Sequence, residues 1–235
     1  MPLPFFFREE FSKENIFTLN EDTSKHVIQV LRMKTGEQLQ LTNGKGKIIT
    51  AEIISENKKA TEVKVLTTSN ITHRTSNITI AISLIKNTNR FEWFLEKATE
   101  IGVSEIIPLL CERTEKQNFR HDRMKNILIS AMLQSQQAWL PILHQPTKFA
   151  EAIKNAAQQN KYIAHCIEGE TQTLTNTLIN QSTNQLILIG PEGAFTQRAI
   201  ENAIANNFLP VSLCNTRFST ETSGMVSRFL FTHVF

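Results

Sequence analysis

From Ile78 onward the apolar residues switch repeatedly between two spacings, and a chain with that rhythm has few ways to fold. Ile78, Ile80, Ile82, Leu84 and Ile85 read as a strand; Phe91, Phe94, Leu95, Ala98 and Ile101 then follow helical spacing up to Gly102, the residue type a helix C-terminus prefers. Residues 106–110 make a second strand, and a long helix carries Met124, Ile127, Leu128 and Ala131. A short helix with Phe149, Ile153 and Ala157 precedes strands at 162–166 and 186–189. A helix through Ile200, Ala203 and Ile204, a strand at 211–213 and a final helix from about Glu221 complete the series. Such alternation predicts an α/β domain with a mostly parallel sheet and helices on both faces.

Before residue 72 the texture is different. Leu39 and Leu41, then Ile49, Ala51 and Ile53, then Val63 and Val65 alternate with polar neighbours. The turn at 42–47 is rich in Gly and Asn, which tolerate positive φ. One helix, starting near Thr23 or Ser24 and carrying Val27, Val30, Leu31 and Lys34, interrupts the strands. A small β-barrel with one helix fits this half. The polar stretch 67–77 reads as a connection, so the expected domains are 1–72 and 73–235.

The 235 residues are 40% hydrophobic with a net charge of +3, enough to bury a core without cross-links and mildly basic enough to permit a nucleic-acid partner. Cys111, Cys166 and Cys214 form no CxxC pair, which argues against a disulfide framework or a metal site. The opening residues have too short an apolar run for a secretion signal, and no stretch approaches the roughly 20 apolar residues of a membrane span. A cytoplasmic protein with no membrane or metal partner is expected.

In an open parallel sheet, ligands bind outside the carboxyl ends of the strands. Three such ends carry unusual residues: Ala164, His165 and onward; Ile189-Gly190-Pro191-Glu192-Gly193-Ala194-Phe195; and Leu213-Cys214-Asn215-Thr216-Arg217-Phe218-Ser219-Thr220-Glu221-Thr222. In the second, the two glycines let backbone approach a ligand, Pro191 stiffens the turn and Thr196 can cap the next helix. It is neither a GxGxxG dinucleotide fingerprint nor a phosphate-binding P-loop.

The run from Arg90 to Arg113, with Phe91-Glu92-Trp93-Phe94-Leu95-Glu96-Lys97-Ala98-Thr99-Glu100-Ile101-Gly102 at its centre, resembles the signature of the 16S ribosomal RNA uridine-N3 methyltransferase family. Ile189–Gly193, Leu213 with Thr220-Glu221-Thr222, and Val30-Leu31-Arg32-Met33 match further motifs of that family, in order, over nearly the whole chain. The resemblance implies a PUA-like RNA-binding barrel, a SPOUT domain with a trefoil knot, a homodimer and S-adenosylmethionine as methyl donor. Cofactor contacts carried over by position are Ala164, His165, Ile189, Gly190, Pro191, Glu192, Gly193, Leu213, Cys214, Asn215, Arg217 and Phe218, with Thr222 and Ser223 beside them.

The chain departs from the family pattern at Cys214, where glycine is usual, at Phe218-Ser219 for Leu-Arg, at Ser223 for alanine and at Ala194, where a second glycine is common. If position 214 needs a positive φ, its cysteine is strained by about 1–2 kcal/mol. Without an arginine at 219, Arg217 is the nearby forked cation, a candidate to stabilise charge on a uracil oxygen. Glu221 is the candidate to take the N3 proton. For RNA, the candidates are Arg8, Lys25 and Arg32 in the first half and Arg113, Lys116, Arg120, Arg123 and Lys125 in the second. The expected partner is 16S ribosomal RNA or the small ribosomal subunit. A methyltransferase of the same superfamily for another RNA site, and a non-catalytic RNA-binding relative, remain open alternatives at this point.

Overall fold

A computed structural model of the chain describes residues 3–11, 14–72, 77–114, 118–165, 173–174, 184–213 and 216–232. They divide into two compact units, one of residues 1–73 with 132–140, the other of 74–131 with 141–235.

The first unit is a five-stranded sheet in the order β1 (Phe5–Phe7), β3 (Gln38–Thr42), β4 (Lys47–Ser55), β5 (Glu62–Asn70) and β2 (Ile16–Thr18). Only β1 with β3 is parallel. Register shifts within β4, at Thr50/Ala51 and Ile53/Ser55, bend the sheet as bulges do. Its concave face buries the alternating residues seen in the sequence, Leu39, Leu41, Ile49, Ala51, Ile53 and Val63, with Phe6 and Phe17 from the edge strands. The β3–β4 turn uses Gly44 and Gly46 at φ of 67° and 85°. A Cβ on Gly46 would strike the ring of Trp139, which contributes to the same unit.

The helix of this unit differs from its expected form. It is α1 (Glu21–Lys25), capped by the Asn20 side chain, and continues as a π-helical turn, His26–Val30. The wider turn, with Leu31 N–H bonded to the His26 carbonyl, breaks the 3.6-residue period. Val27 alone of the expected apolar stripe is fully buried, while Val30 and Leu31 stay exposed. Arg32 follows at φ 55°.

The second unit is a seven-stranded parallel sheet. Its strands are β6 (Asn77–Ser83), β7 (Glu105–Leu110), β8 (Ile142–Leu143), β9 (Thr147–Lys148), β10 (Asn160–Ala164), β11 (Asn184–Ile189) and β12 (Leu209–Val211). The order is β12-β10-β11-β6-β7-β8, with β9 also on β7. Helix α2 (Thr88–Glu100) and the last helix, here α6 (Thr220–Thr232), cover one face; α4 (Phe149–Lys154) and α5 (Gln197–Ala205) cover the other. Alternation along the strands divides the core between them. Tyr162 turns its ring to Phe231 of α6, at 5.6 Å, while Ile163, Leu186 and Leu188 pack with Phe149, Ile200 and Ala203. Gly102, at φ 72°, ends α2 as its position suggested. The remaining helix, α3 (His121–Gln134), is clamped to α2 by both nitrogens of the Arg123 fork on Glu92, at 2.6 and 3.0 Å.

The chain starts this sheet at β6, builds outward through β7 to β8, then returns to lay β11 and β10 on the other side of β6. The strand order therefore reverses between β6 and β11, and in such sheets ligands bind outside the carboxyl ends near the reversal.

Candidate functional site

Three chain segments leave β10, β11 and β12 at the same edge of the sheet, and they converge on one cavity of about 640 Å³. Ala164 and His165 come from the end of β10, residues 189–195 from the end of β11, and Leu213 with residues 216–220 and Ser223 from the loop and first turn of α6. The edges are stitched together by main chain: His165 N–H donates to the Val211 carbonyl and Leu174 N–H to the Ser212 carbonyl, each at 2.9 Å. A cavity of this size suits a cofactor of some tens of atoms.

The β11 loop is a tight turn closed by Ala194 N–H on the Pro191 carbonyl, at 2.9 Å. Its glycines act mainly by the space they leave. A Cβ on Gly190 would sit 3.1 Å from the ring and 3.2 Å from the backbone nitrogen of Phe195. Ala194, by contrast, occupies the left-handed region at φ 59°, which a glycine would take without strain, while Cys214, where strain was expected, lies outside the described residues. Thr196 caps α5 by accepting from Ala199 N–H at 3.3 Å, as its place in the sequence implied. Glu192 lines the cavity and accepts from Lys86 N–H at 3.4 Å. Arg113 donates to the Gly193 carbonyl and so braces the loop from the end of β7.

Of the candidate cofactor residues, Ala164, His165, Ile189–Gly193, Leu213, Arg217, Phe218 and Ser223 all line the cavity. Cys214 and Asn215, like Cys166 and Lys116, lie outside the described residues. Thr222 is not on the wall; it shares a hydrogen bond with Ser219, at 2.9 Å. Thr216, inside the expected run from Leu213 through Phe218, also lines the cavity, and Ala194, Phe195, Ser219 and Thr220 line it without having been singled out as cofactor contacts. Contiguity was the available signal, since each sits within or beside a segment already chosen.

Two polar groups stand out. His165 Nε2 is buried with no hydrogen-bond partner among the described residues, and burial lowers the imidazole pKa, which keeps the ring neutral. Glu221 is only 8% exposed and does not line the cavity. Its Oε1 lies 3.5 Å from Arg90 Nη1 on α2, and its Oε2 has no partner among the described residues. Glu192 is therefore the carboxylate that faces the cavity among the described residues.

The RNA candidates divide. Arg8 donates to the carbonyls of Thr18 and Glu10 and stacks 4.4 Å over the Phe17 ring, Lys25 pairs with Glu21 at 2.8 Å, and Arg123 is held by Glu92. Arg32 and Arg120 are exposed. Lys125 lies on α3. Among the described residues no group of His, Cys, Asp and Glu could hold a metal, and no helix is long and apolar enough to cross a membrane.

An RNA methyltransferase domain family matches residues 72–230, and an RNA methyltransferase PUA domain family matches residues 19–66. The chain belongs to the RNA methyltransferase family. Within that family it is 30% identical over 206 residues to the ribosomal RNA small subunit methyltransferase E of a Synechocystis species, covering 85% of this chain and 67% of the relative. A probable rRNA methyltransferase from Porphyromonas gingivalis superposes with a TM-score of 0.91 at 32% identity, covering 99% of this chain and 98% of that one. The Neisseria gonorrhoeae ribosomal RNA small subunit methyltransferase E, solved bound to S-adenosylmethionine, superposes with a TM-score of 0.89 at 26% identity over 100% and 98% of the two chains. The fold is accordingly that of the SPOUT methyltransferases of this family, with a PUA-like first domain.

Proposed function

We propose that the chain transfers a methyl group from S-adenosylmethionine to N3 of a uridine in 16S ribosomal RNA. The observation that carries the reading is the convergence of the β10, β11 and β12 turns on one cavity, in a fold whose Neisseria relative was solved with that cofactor. The residues present fit the group. The cavity has the volume, the β11 loop offers main-chain donors and acceptors beside Gly190, and the neutral His165 keeps a free ring nitrogen without placing a positive charge near a sulfonium.

When bound, S-adenosylmethionine supplies an electrophilic methyl on a positively charged sulfur. Everything else falls to the chain. The uridine ring N–H is a weak acid, so N3 has to be held in line with the methyl, at about 3 Å, and relieved of its proton. Arg217, exposed on the cavity wall, is placed to stabilise negative charge on a uracil oxygen. For the proton, the geometry favours Glu192 over Glu221, because Glu192 faces the cavity while Glu221 turns to Arg90. In this reading Glu221 holds the first turn of α6 against α2, and so keeps Thr220 and Ser223 on the wall.

The reading extends to a cytoplasmic, homodimeric enzyme with the trefoil knot that the sequence resemblance implies, and to domains meeting near residue 73. Sedimentation of the full chain tests the dimer: a mass of two chains is expected, and a mass of one chain would refute it. The decisive experiment is tritium transfer from labelled S-adenosylmethionine to small-subunit RNA from a strain lacking the gene, with mass spectrometry of the digested product. A 3-methyluridine is expected. Label on another base or on transfer RNA would refute the substrate, and absence of cofactor binding would refute the enzyme.

A further inference from the structure

A second hollow, of about 450 Å³, opens on the same edge of the parallel sheet, and Ala194 and Phe195 form part of the wall of both. Its floor is apolar: the rings of Phe149 and Phe195 meet at 5.2 Å with a 48° tilt, beside Ala150 and Ala199. Around it stand three cations from three separate elements. Arg113 follows β7, Lys148 ends β9 and Arg198 lies in the first turn of α5. The opposing charge is Glu112, whose Oε2 accepts from the Thr196 hydroxyl at 3.1 Å. Three cations against one carboxylate leave a net positive rim, and the N-terminus of α5 adds donors and partial positive charge to it.

Positive rim, apolar floor and shared wall together describe a nucleotide subsite. We propose that this hollow takes the nucleotide adjoining the target uridine in the RNA strand, with its phosphate on Lys148 and Arg198 and its sugar and base against the Phe149–Phe195 floor. The inference rests on the methyl-transfer reading above, since the strand is the one whose target base enters the cofactor cavity. Arg113 serves both hollows. It lines the second while donating to the Gly193 carbonyl of the loop that borders the first. Phosphate engagement at Arg113 would therefore be felt by the β11 loop that borders the methyl donor.

Lys148 and Arg198 are the residues to change, because neither lines the cofactor cavity. Binding of fluorescein-labelled oligouridylate to the full chain is followed by anisotropy between about 50 and 200 mM salt, where each phosphate neutralised on a single strand contributes a slope near 0.7 in log K against log salt. The double variant Lys148→Gln/Arg198→Gln should lower that slope by about 0.7, the share of one phosphate, and raise the KM for RNA, with kcat and the Kd for S-adenosylmethionine unchanged. Lys148→Arg/Arg198→Lys should keep the wild-type slope. An unchanged slope in the glutamine variant, with normal cofactor binding, overturns this subsite and leaves the methyl-transfer reading standing. A wild-type chain that binds no S-adenosylmethionine yet shows the slope change refutes the methyl-transfer reading and leaves the phosphate contacts in place.

Discussion

Gly224 lies inside α6, four residues after Thr220 on the cavity wall, and its hydrogen faces α2. A Cβ built there meets Phe94 Cε2 at 2.5 Å and Cδ2 at 3.1 Å, and Ile82 Cδ1 at 3.2 Å. Phe94 and Ile82 are both fully buried, so neither can swing into solvent to make room. Two terms oppose each other in Gly224→Ala. Alanine gains about 1 kcal/mol over glycine in a helix interior, whereas an extra methyl in a well-packed core costs about 1–3 kcal/mol. With the contact at 2.5 Å the second term wins, for a net loss of about 1–2 kcal/mol. That corresponds to a fall in Tm of roughly 2–8 °C for a chain of this size. Calorimetry or a denaturant midpoint at constant m-value measures it. A double-mutant cycle with Phe94→Leu should show a favourable coupling of about 0.5–3 kcal/mol, because the smaller side chain vacates the clashing position. A Gly224→Ala variant as stable as the parent, with no coupling to position 94, would refute the close helix-on-helix contact that sets α6, and with it the placement of the α6 half of the site.

The other predictions concern the cavity itself. Ala194→Gly, relieving φ 59° at about 1–2 kcal/mol against a glycine entropy cost of about 0.5–1 kcal/mol, should leave stability unchanged or raise it by up to about 1.5 kcal/mol; a loss of stability in a urea melt contradicts the left-handed assignment. Glu192→Gln should lower kcat by about a hundredfold with cofactor affinity preserved, whereas Glu221→Gln should lower thermal stability and leave most of the turnover; the reverse pattern in tritium-transfer kinetics would return the proton to Glu221. His165 has a depressed pKa in the folded state. Its contribution to stability is thus complete above the unfolded value of about 6.5 and declines as pH falls, because the unfolded chain takes up the proton first. Denaturant midpoints of the parent and His165→Asn should therefore differ in pH dependence below about 6.5 and run parallel above it; parallel curves throughout would show the ring to be freely solvated.

Much of this was legible beforehand, for identifiable reasons. Ile78, Ile80 and Ile82 announce a strand by period alone, and Gly102 and Thr196 announce helix ends through backbone requirements that few other residues meet. The cavity segments were legible because glycine, proline and polar residues cluster directly after apolar strands. Other features depend on pairings remote in the chain. Nothing local says that β11 lies between β10 and β6, because all three strands are apolar and parallel. Glu221 looks available until Arg90 is found 3.5 Å away on another helix, and Arg113 looks like a surface cation until it is found on the Gly193 carbonyl. Arg8 is spent on Thr18, Glu10 and Phe17 in the same way. The π-helical turn at His26–Val30 escaped because a single extra residue per turn moves Val30 and Leu31 off the stripe that their spacing suggests.

The most direct measurement is amide-resolved exchange or chemical-shift mapping of the full chain titrated with S-adenosylmethionine. The three turns should respond together, at 164–165, 190–195 and 216–219, with one shared binding isotherm and no change in the β3–β4 hairpin. Responses confined to one turn, or a cofactor that perturbs none of them, would contradict the single cavity from which the proposed chemistry is derived.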